Sequence, residues 1–289
     1  MSLLVNTLLE RVQKEFLLPD VIWENVELST KDLKFLKDEC YKDSEFDPIN
    51  KRKIMFDEMM NGNLLVIVCK SDYGQVMAVF ESMEQMADLP WQLWGRILRM
   101  FSEPFRKPFK IFFLANKSLR EFPEGDEPIT PENINGGYTY RCDPETIVLY
   151  RAEDATRVLI HELQHSCCLD KPEKGIDIVE AETEAWAELF YVAILSQGKK
   201  YMFKDLLQRQ SEWIIKQNKK VKKHMNNPNS MEFPWRYTIG KEEIWERWGI
   251  LRKDEMKPVI VVGNSLRLTY PPSVTLKDRF KIKRDSTIL

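Results

Sequence analysis

The chain has 289 residues, 43% hydrophobic and 11% aromatic, and is long enough to bury most of the apolar surface an unfolded chain exposes. That excludes disordered, collagenous and mucin-like chains, each of which needs a depleted or repetitive composition. Lysine and arginine number 43 against 45 aspartate and glutamate, and a formal net charge of −2 singles out no partner.

From Leu3 to Phe16, Leu4, Leu8, Leu9, Val12 and Phe16 recur at three and four, predicting a helix, and Thr30 is placed to cap a second one through Leu36. Asn63 to Lys70 reads as a strand. An amphipathic helix follows Pro90, with Trp91, Trp94, Ile97, Leu98 and Phe101 on one side, and Pro104 stops it. The region 1–105 is therefore expected to be a mostly helical part packed on a core spanning 106–225.

Within that core, Phe109 to Leu114 reads as a buried strand. Gly137 to Cys142 and Thr146 to Tyr150 flank the turn-forming Asp143-Pro144-Glu145 as an antiparallel hairpin. A helix starts directly afterwards, served by Asp154 or Glu153, with Val158, Leu159, Leu163 and Cys167 on its apolar face. Asp177 to Gln197 is a long helix ended by Gly198, and Tyr201 to Val221 is another. Residues 226–289 form an aromatic-rich extension with a short helix near Lys241 to Trp248, strands at Pro258 to Val262 and Leu266 to Tyr270, and a basic tail. The fold class expected is α+β.

The chain contains three histidines, and two of them stand in His161-Glu162-Leu163-Gln164-His165. This is the H-E-x-x-H pattern, and residues four apart share one face of a helix. Two imidazoles on that face suit one Zn²⁺, while Glu162 is placed to take a proton from the metal's water and pass it to a leaving amine, as peptide hydrolysis requires. The alternative is that the two histidines merely satisfy polar contacts on the helix.

A catalytic zinc needs a third protein ligand and an open position. His224, beside a lysine cluster, reads as a surface residue, so a carboxylate is required. Asp177, Glu180, Glu184 and Glu188 lie a turn apart along one face of the next helix, with Glu182 pointing away. Because Leu189 to Leu195 is apolar on every side, that helix is expected to be buried, and its carboxylates then need partners.

Residues 109 to 197 resemble the gluzincins, zinc metallopeptidases whose third ligand is a glutamate on the helix after H-E-x-x-H. The resemblance implies a zincin-like core. Its eighteen-residue spacing after the second histidine implies Glu184 as the ligand, with Glu180 the alternative. The string Glu184-Ala185-Trp186-Ala187-Glu188 resembles the family's E-A-x-x-D/E pattern, which implies that Glu188 orients a zinc-bound histidine. It further implies that Gly136, Gly137 and Tyr138 belong to an edge strand that pairs with an extended polypeptide substrate. The same stretch, with Arg120-Glu121-Phe122-Pro123, is similar to metallopeptidase-like proteins of large DNA viruses. The residue that steadies the oxyanion has no clear spacing, and Tyr237, Arg236 and Tyr191 are the candidates.

The reading is thus a metalloprotease, a hydrolase binding one Zn²⁺ per chain. The alternative is a non-catalytic structural or interaction protein, virion-associated, that keeps the zincin fold. The lysines at 216, 219, 220, 222 and 223 sit at a helix end, where the dipole favours them, and nucleic acid is not an expected partner. No apolar run approaches the roughly 20 residues of a membrane span, and Met1-Ser2-Leu3-Leu4-Val5 lacks the features of a secretory signal. The cysteines at 40, 69, 142, 167 and 168 have no paired spacing and read as free thiols. A soluble, intracellular protein of the cytoplasm of a cell or infected host cell is expected, with the virion as the alternative.

Overall fold

Helix α1 (Leu3–Glu15) buries Leu8, Leu9 and Val12 as its sequence period predicts, with Val5 buried in place of the exposed Leu4. The computed structural model describes residues 3–253 and 259–273. A two-residue strand β1 (Glu24–Asn25) precedes α2 (Thr30–Tyr41), whose cap is Ser29 in place of the expected Thr30: the Ser29 hydroxyl accepts from the Asp32 N–H at 3.1 Å. Then come α3 (Lys51–Met60), β2 (Leu65–Ser71), β3 (Gly74–Phe80), α4 (Met83–Asp88), α5 (Trp91–Phe105) and β4 (Phe109–Leu114). Beyond them lie α6 (Pro131–Ile134), β5 (Gly137–Tyr138), β6 (Ile147–Leu149), α7 (Ala155–Ser166), α8 (Ile176–Leu195), α9 (Lys200–Val221), α10 (Phe233–Tyr237) and α11 (Ile239–Arg247). The described residues are mixed α and β, as expected.

The chain divides into two compact units. One comprises Pro19–Ser118 and Gly136–Cys167 and holds the whole sheet with α2 to α5 and α7. Its six strands run in the order β1-β2-β3-β4-β6-β5. β4 is parallel to both β3 and β6, and the outer pairings are antiparallel. Parallel strands covered on both faces are continuously apolar, which is why β4 and β6 show no polar alternation. Phe112 and Leu114 join Leu36, Met55, Phe56 and Met59 on the α2–α3 face. Phe113, pointing the other way, packs its ring 5.3 Å from that of Trp94 on α5. β1, β2 and β3 all lie before residue 105, among the helices α1 to α5. β3 was hidden by Gly74, Gln75 and Ala78, weak strand formers that burial between two neighbours overrides.

The other unit comprises residues 3–18, Leu119–Asn135 and Cys168–Pro271 and is helical. α8 is its centre, buried along Ala185, Ala187, Leu189 and Val192 to Leu195, and the Trp245 indole of α11 donates to the Ala185 carbonyl at 3.0 Å. Gly198, at φ 71°, turns the chain into α9. Residues 259–262 and 266–270 are not strands. The latter dock on helices instead, the Trp213 indole and the Gln217 amide both donating to the Arg267 carbonyl, at 3.0 and 2.8 Å. Pro258 and the basic tail lie outside the described residues.

His224 is buried, contrary to its expected surface position. Its Nδ1 lies 2.9 Å from the Glu127 carbonyl and its ring 5.3 Å from that of Phe122. Both partners are remote in sequence, so its neighbouring lysines misrepresent its surroundings. Lys220 of the basic run sits 4.2 Å over the Phe122 ring and donates to the Gly263 carbonyl, so this lysine helps hold the fold together.

Candidate metal centre

The site grows from the edge of the sheet. Gly137 and Tyr138 pair with Leu149 and Val148, and the Tyr150 N–H donates to the Gly136 carbonyl at 2.8 Å, so the expected hairpin forms and β5 is an edge strand. A Cβ on Gly137 would stand 2.8 Å from both Leu149 Cδ2 and Val158 Cγ1. The absence of a side chain is what lets α7 lie this close to the edge strand.

α7 begins after Asp154, which is in the left-handed region at φ 60° and makes no side-chain cap. The indole of Trp94 donates to Thr156 Oγ1 at 2.9 Å, fixing its first turn, and the Cys142 N–H donates to the His165 carbonyl at 2.9 Å, fixing its last. Leu159, Ile160 and Leu163 anchor the helix in the core. His161 and Glu162 are each 5% exposed, and His165 is half-buried. The two imidazoles converge: their Nε2 atoms are 3.1 Å apart and the rings meet edge to face at 4.8 Å.

Two nitrogens bound to one tetrahedral zinc at 2.0–2.1 Å stand about 3.3 Å apart, close to what this pair already shows. His161, His165 and Glu180 each offer a ligand atom, all within 4.8 Å of one another, and this group could hold a metal ion. Glu184, a turn further on, is 1% exposed.

The rest of the acidic stripe is engaged within its own unit. Asp177 accepts from Arg236 Nε. Glu182, which points away as expected, takes the Lys174 ammonium at 2.7 Å. Glu188 is fully buried, accepting from Lys241 Nζ at 3.3 Å and from the Thr269 hydroxyl at 2.7 Å, while Lys241 also donates to the Leu268 carbonyl at 2.6 Å. Of the three oxyanion candidates, Tyr237 is half-buried with its ring 5.1 Å from that of Phe233, Arg236 holds Asp177, and Tyr191 is buried.

Sequence reasoning passed over the side chains that brace the edge strand. Arg52 is buried and donates to Asp47 Oδ2 at 3.0 Å and to the Tyr138 hydroxyl at 2.9 Å. Burial works against its charge, but the Tyr138 oxygen and the Asp47 carboxylate outweigh that and hold its pKa above the usual value. Burial, with the Glu39 carboxylate beside it, likewise pushes the Tyr138 hydroxyl up.

The cysteines also depart from expectation. Cys142 and Cys168 are disulfide-bonded, which their spacing did not signal, while Cys40, Cys69 and Cys167 are free and buried. Among the described residues, no helix is long and apolar enough to cross a membrane. Comparison of the chain with protein-family models, with curated proteins and with solved structures finds no match.

Proposed function

We propose that this chain is a zinc-dependent peptidase. The observation that carries the reading is the convergence of the His161 and His165 Nε2 atoms on a buried helix, beside Glu162 and grouped with Glu180. His161, His165 and Glu180 would hold the ion. The spacing of the gluzincin resemblance makes Glu184 the competing third ligand. When bound, zinc would supply a Lewis acid that makes water acidic near neutral pH. The protein supplies the proton handling: Glu162 takes the proton from water and delivers it to the departing amine.

The strand β5 supplies alignment. In the register Gly136 to Tyr150 and Tyr138 to Val148, the backbone groups of Tyr138 face β6, and those of Gly137 and Thr139 face away from it. An extended polypeptide adding to that edge is the substrate class proposed. The test is a peptide-library cleavage assay on the full chain and on Glu162→Gln. Cleavage by the wild type alone supports the peptidase. A wild type that binds zinc and cleaves nothing favours a non-catalytic protein built on the same helices. Equal turnover in both proteins contradicts the assigned role of Glu162.

A further inference from the structure

The edge strand β5 is two residues long and starts on the second of two paired glycines, a combination that fixes its register weakly by backbone alone. What its side chains meet is different in kind. Tyr138 and Tyr140, two apart and therefore on one face, both reach the carboxylate of Glu39 on α2: Tyr138 donates to Oε2 at 2.7 Å and Tyr140 donates to Oε1 at 2.9 Å. Arg52 on α3 fills an acceptor position of the Tyr138 hydroxyl at 2.9 Å, which directs that hydroxyl's proton towards Glu39. Arg52 is itself fixed by Asp47 and by the carbonyls of Glu39 and Lys42, each at 3.0 Å. Glu39, Asp47 and Arg52 are all buried.

Burying two carboxylates and a guanidinium beside a two-residue strand is costly unless the geometry is specific. A slip of one residue along β6 would turn both tyrosines to the opposite face and away from Glu39. The same slip would replace Gly137 and Thr139 by Tyr138 as the residue presenting outward N–H and C=O groups. We infer that Glu39 and Arg52 are positioning residues, which select through Tyr138 and Tyr140 the register in which β5 offers its backbone to an extended polypeptide. This rests on the peptidase reading above and adds to it which residues, on helices outside the H-E-x-x-H segment, set substrate alignment.

The test uses the full chain as wild type, Tyr138→Phe/Tyr140→Phe and Tyr140→Phe, with Tyr41→Phe as control. The control removes a tyrosine–carboxylate bond from the same helix, Tyr41 to Asp57 at 2.6 Å, that does not touch β5. Tyr140 is 39% exposed, so its single variant keeps the fold. Three quantities are read: amide hydrogen exchange over residues 136–141, zinc content, and KM against kcat for a cleaved peptide. In the double variant, exchange over 136–141 and KM each rise about tenfold, as the loss of one or two net hydrogen bonds implies, while kcat stays within roughly twofold and zinc content is unchanged. The single variant shifts the same two quantities less, and the control shifts neither. Unchanged exchange in the double variant overturns the inference whatever the kinetics show, as does a fall in kcat with KM unchanged. Absence of hydrolysis in the wild type overturns the peptidase reading instead, and exchange alone then decides whether the tyrosines pin the strand.

Discussion

Val158 Cγ1 lies 2.8 Å from the point where a side chain on Gly137 would begin. The edge strand and the helix carrying the histidine pair are therefore in contact through the smallest possible residue. Gly137→Ala forces one of them to move, at about 1–3 kcal/mol of stability, the usual cost of overpacking. Urea denaturation measures the loss. Because one of the two closest clashes is with a Val158 methyl group, the other being with Leu149 Cδ2, Val158→Ala in the same chain restores part of it, and a double-mutant cycle showing simple additivity would contradict this account.

Glu162→Gln keeps the shape of the side chain and removes its capacity to accept a proton. Zinc content stays at the wild-type level, and peptide hydrolysis falls by about 10²–10⁴, the range a general base contributes. Loss of zinc from this variant would make Glu162 part of the binding set and not the base.

Lys241 and Glu188 form an ion pair that is almost completely buried. Removing one member of such a pair costs about 3–5 kcal/mol, whereas replacing both by apolar residues of similar volume is often neutral. Lys241→Met is expected to show that loss in urea denaturation, and Lys241→Met/Glu188→Leu to recover much of it. A single variant as stable as wild type would mean the pair contributes little.

Burial raises the Cys40 and Cys167 thiols to about 12 and the Cys69 thiol to about 11. Raised acid groups favour the folded state as neutral thiols, and that contribution is complete below the ordinary thiol pKa and lost as pH climbs through 11 and 12. At pH 8 the thiolate fraction of each is about one in a thousand or less. Thiol titration of the native protein at pH 8 therefore gives almost no reaction. In denaturant it gives three thiols, Cys40, Cys69 and Cys167, and five after reduction. Five thiols in denaturant without reductant would contradict the disulfide at Cys142 and Cys168.

The elements that could be read from the chain are those whose burial follows a single period. α1, α5, α8 and α9 show the helical spacing, and β4 and β6 are apolar runs bounded by turn residues. The missed helix α3 buries Lys51 and Arg52 along with Met55, Phe56 and Met59, so its inward face does not look apolar in sequence. The same holds for the site. The pair His161 and His165 is local to one helix and was legible from spacing alone. Spacing left Glu180 and Glu184 as alternatives because a turn of helix separates them. The bracing of β5 joins Glu39 to Tyr138 across 99 positions, beyond the reach of any periodic signal.

The zinc content of the purified full chain, measured by elemental analysis for wild type, His165→Ala and Glu180→Ala, bears most directly on the central claim. The account predicts one zinc per wild-type chain and none retained by His165→Ala. Glu180→Ala should lose affinity by more than the roughly 10–100-fold that removing a hydrogen-bond partner of a ligand costs. Wild-type protein that takes up no zinc from zinc-containing buffer, or that holds it equally well without His165, would contradict it.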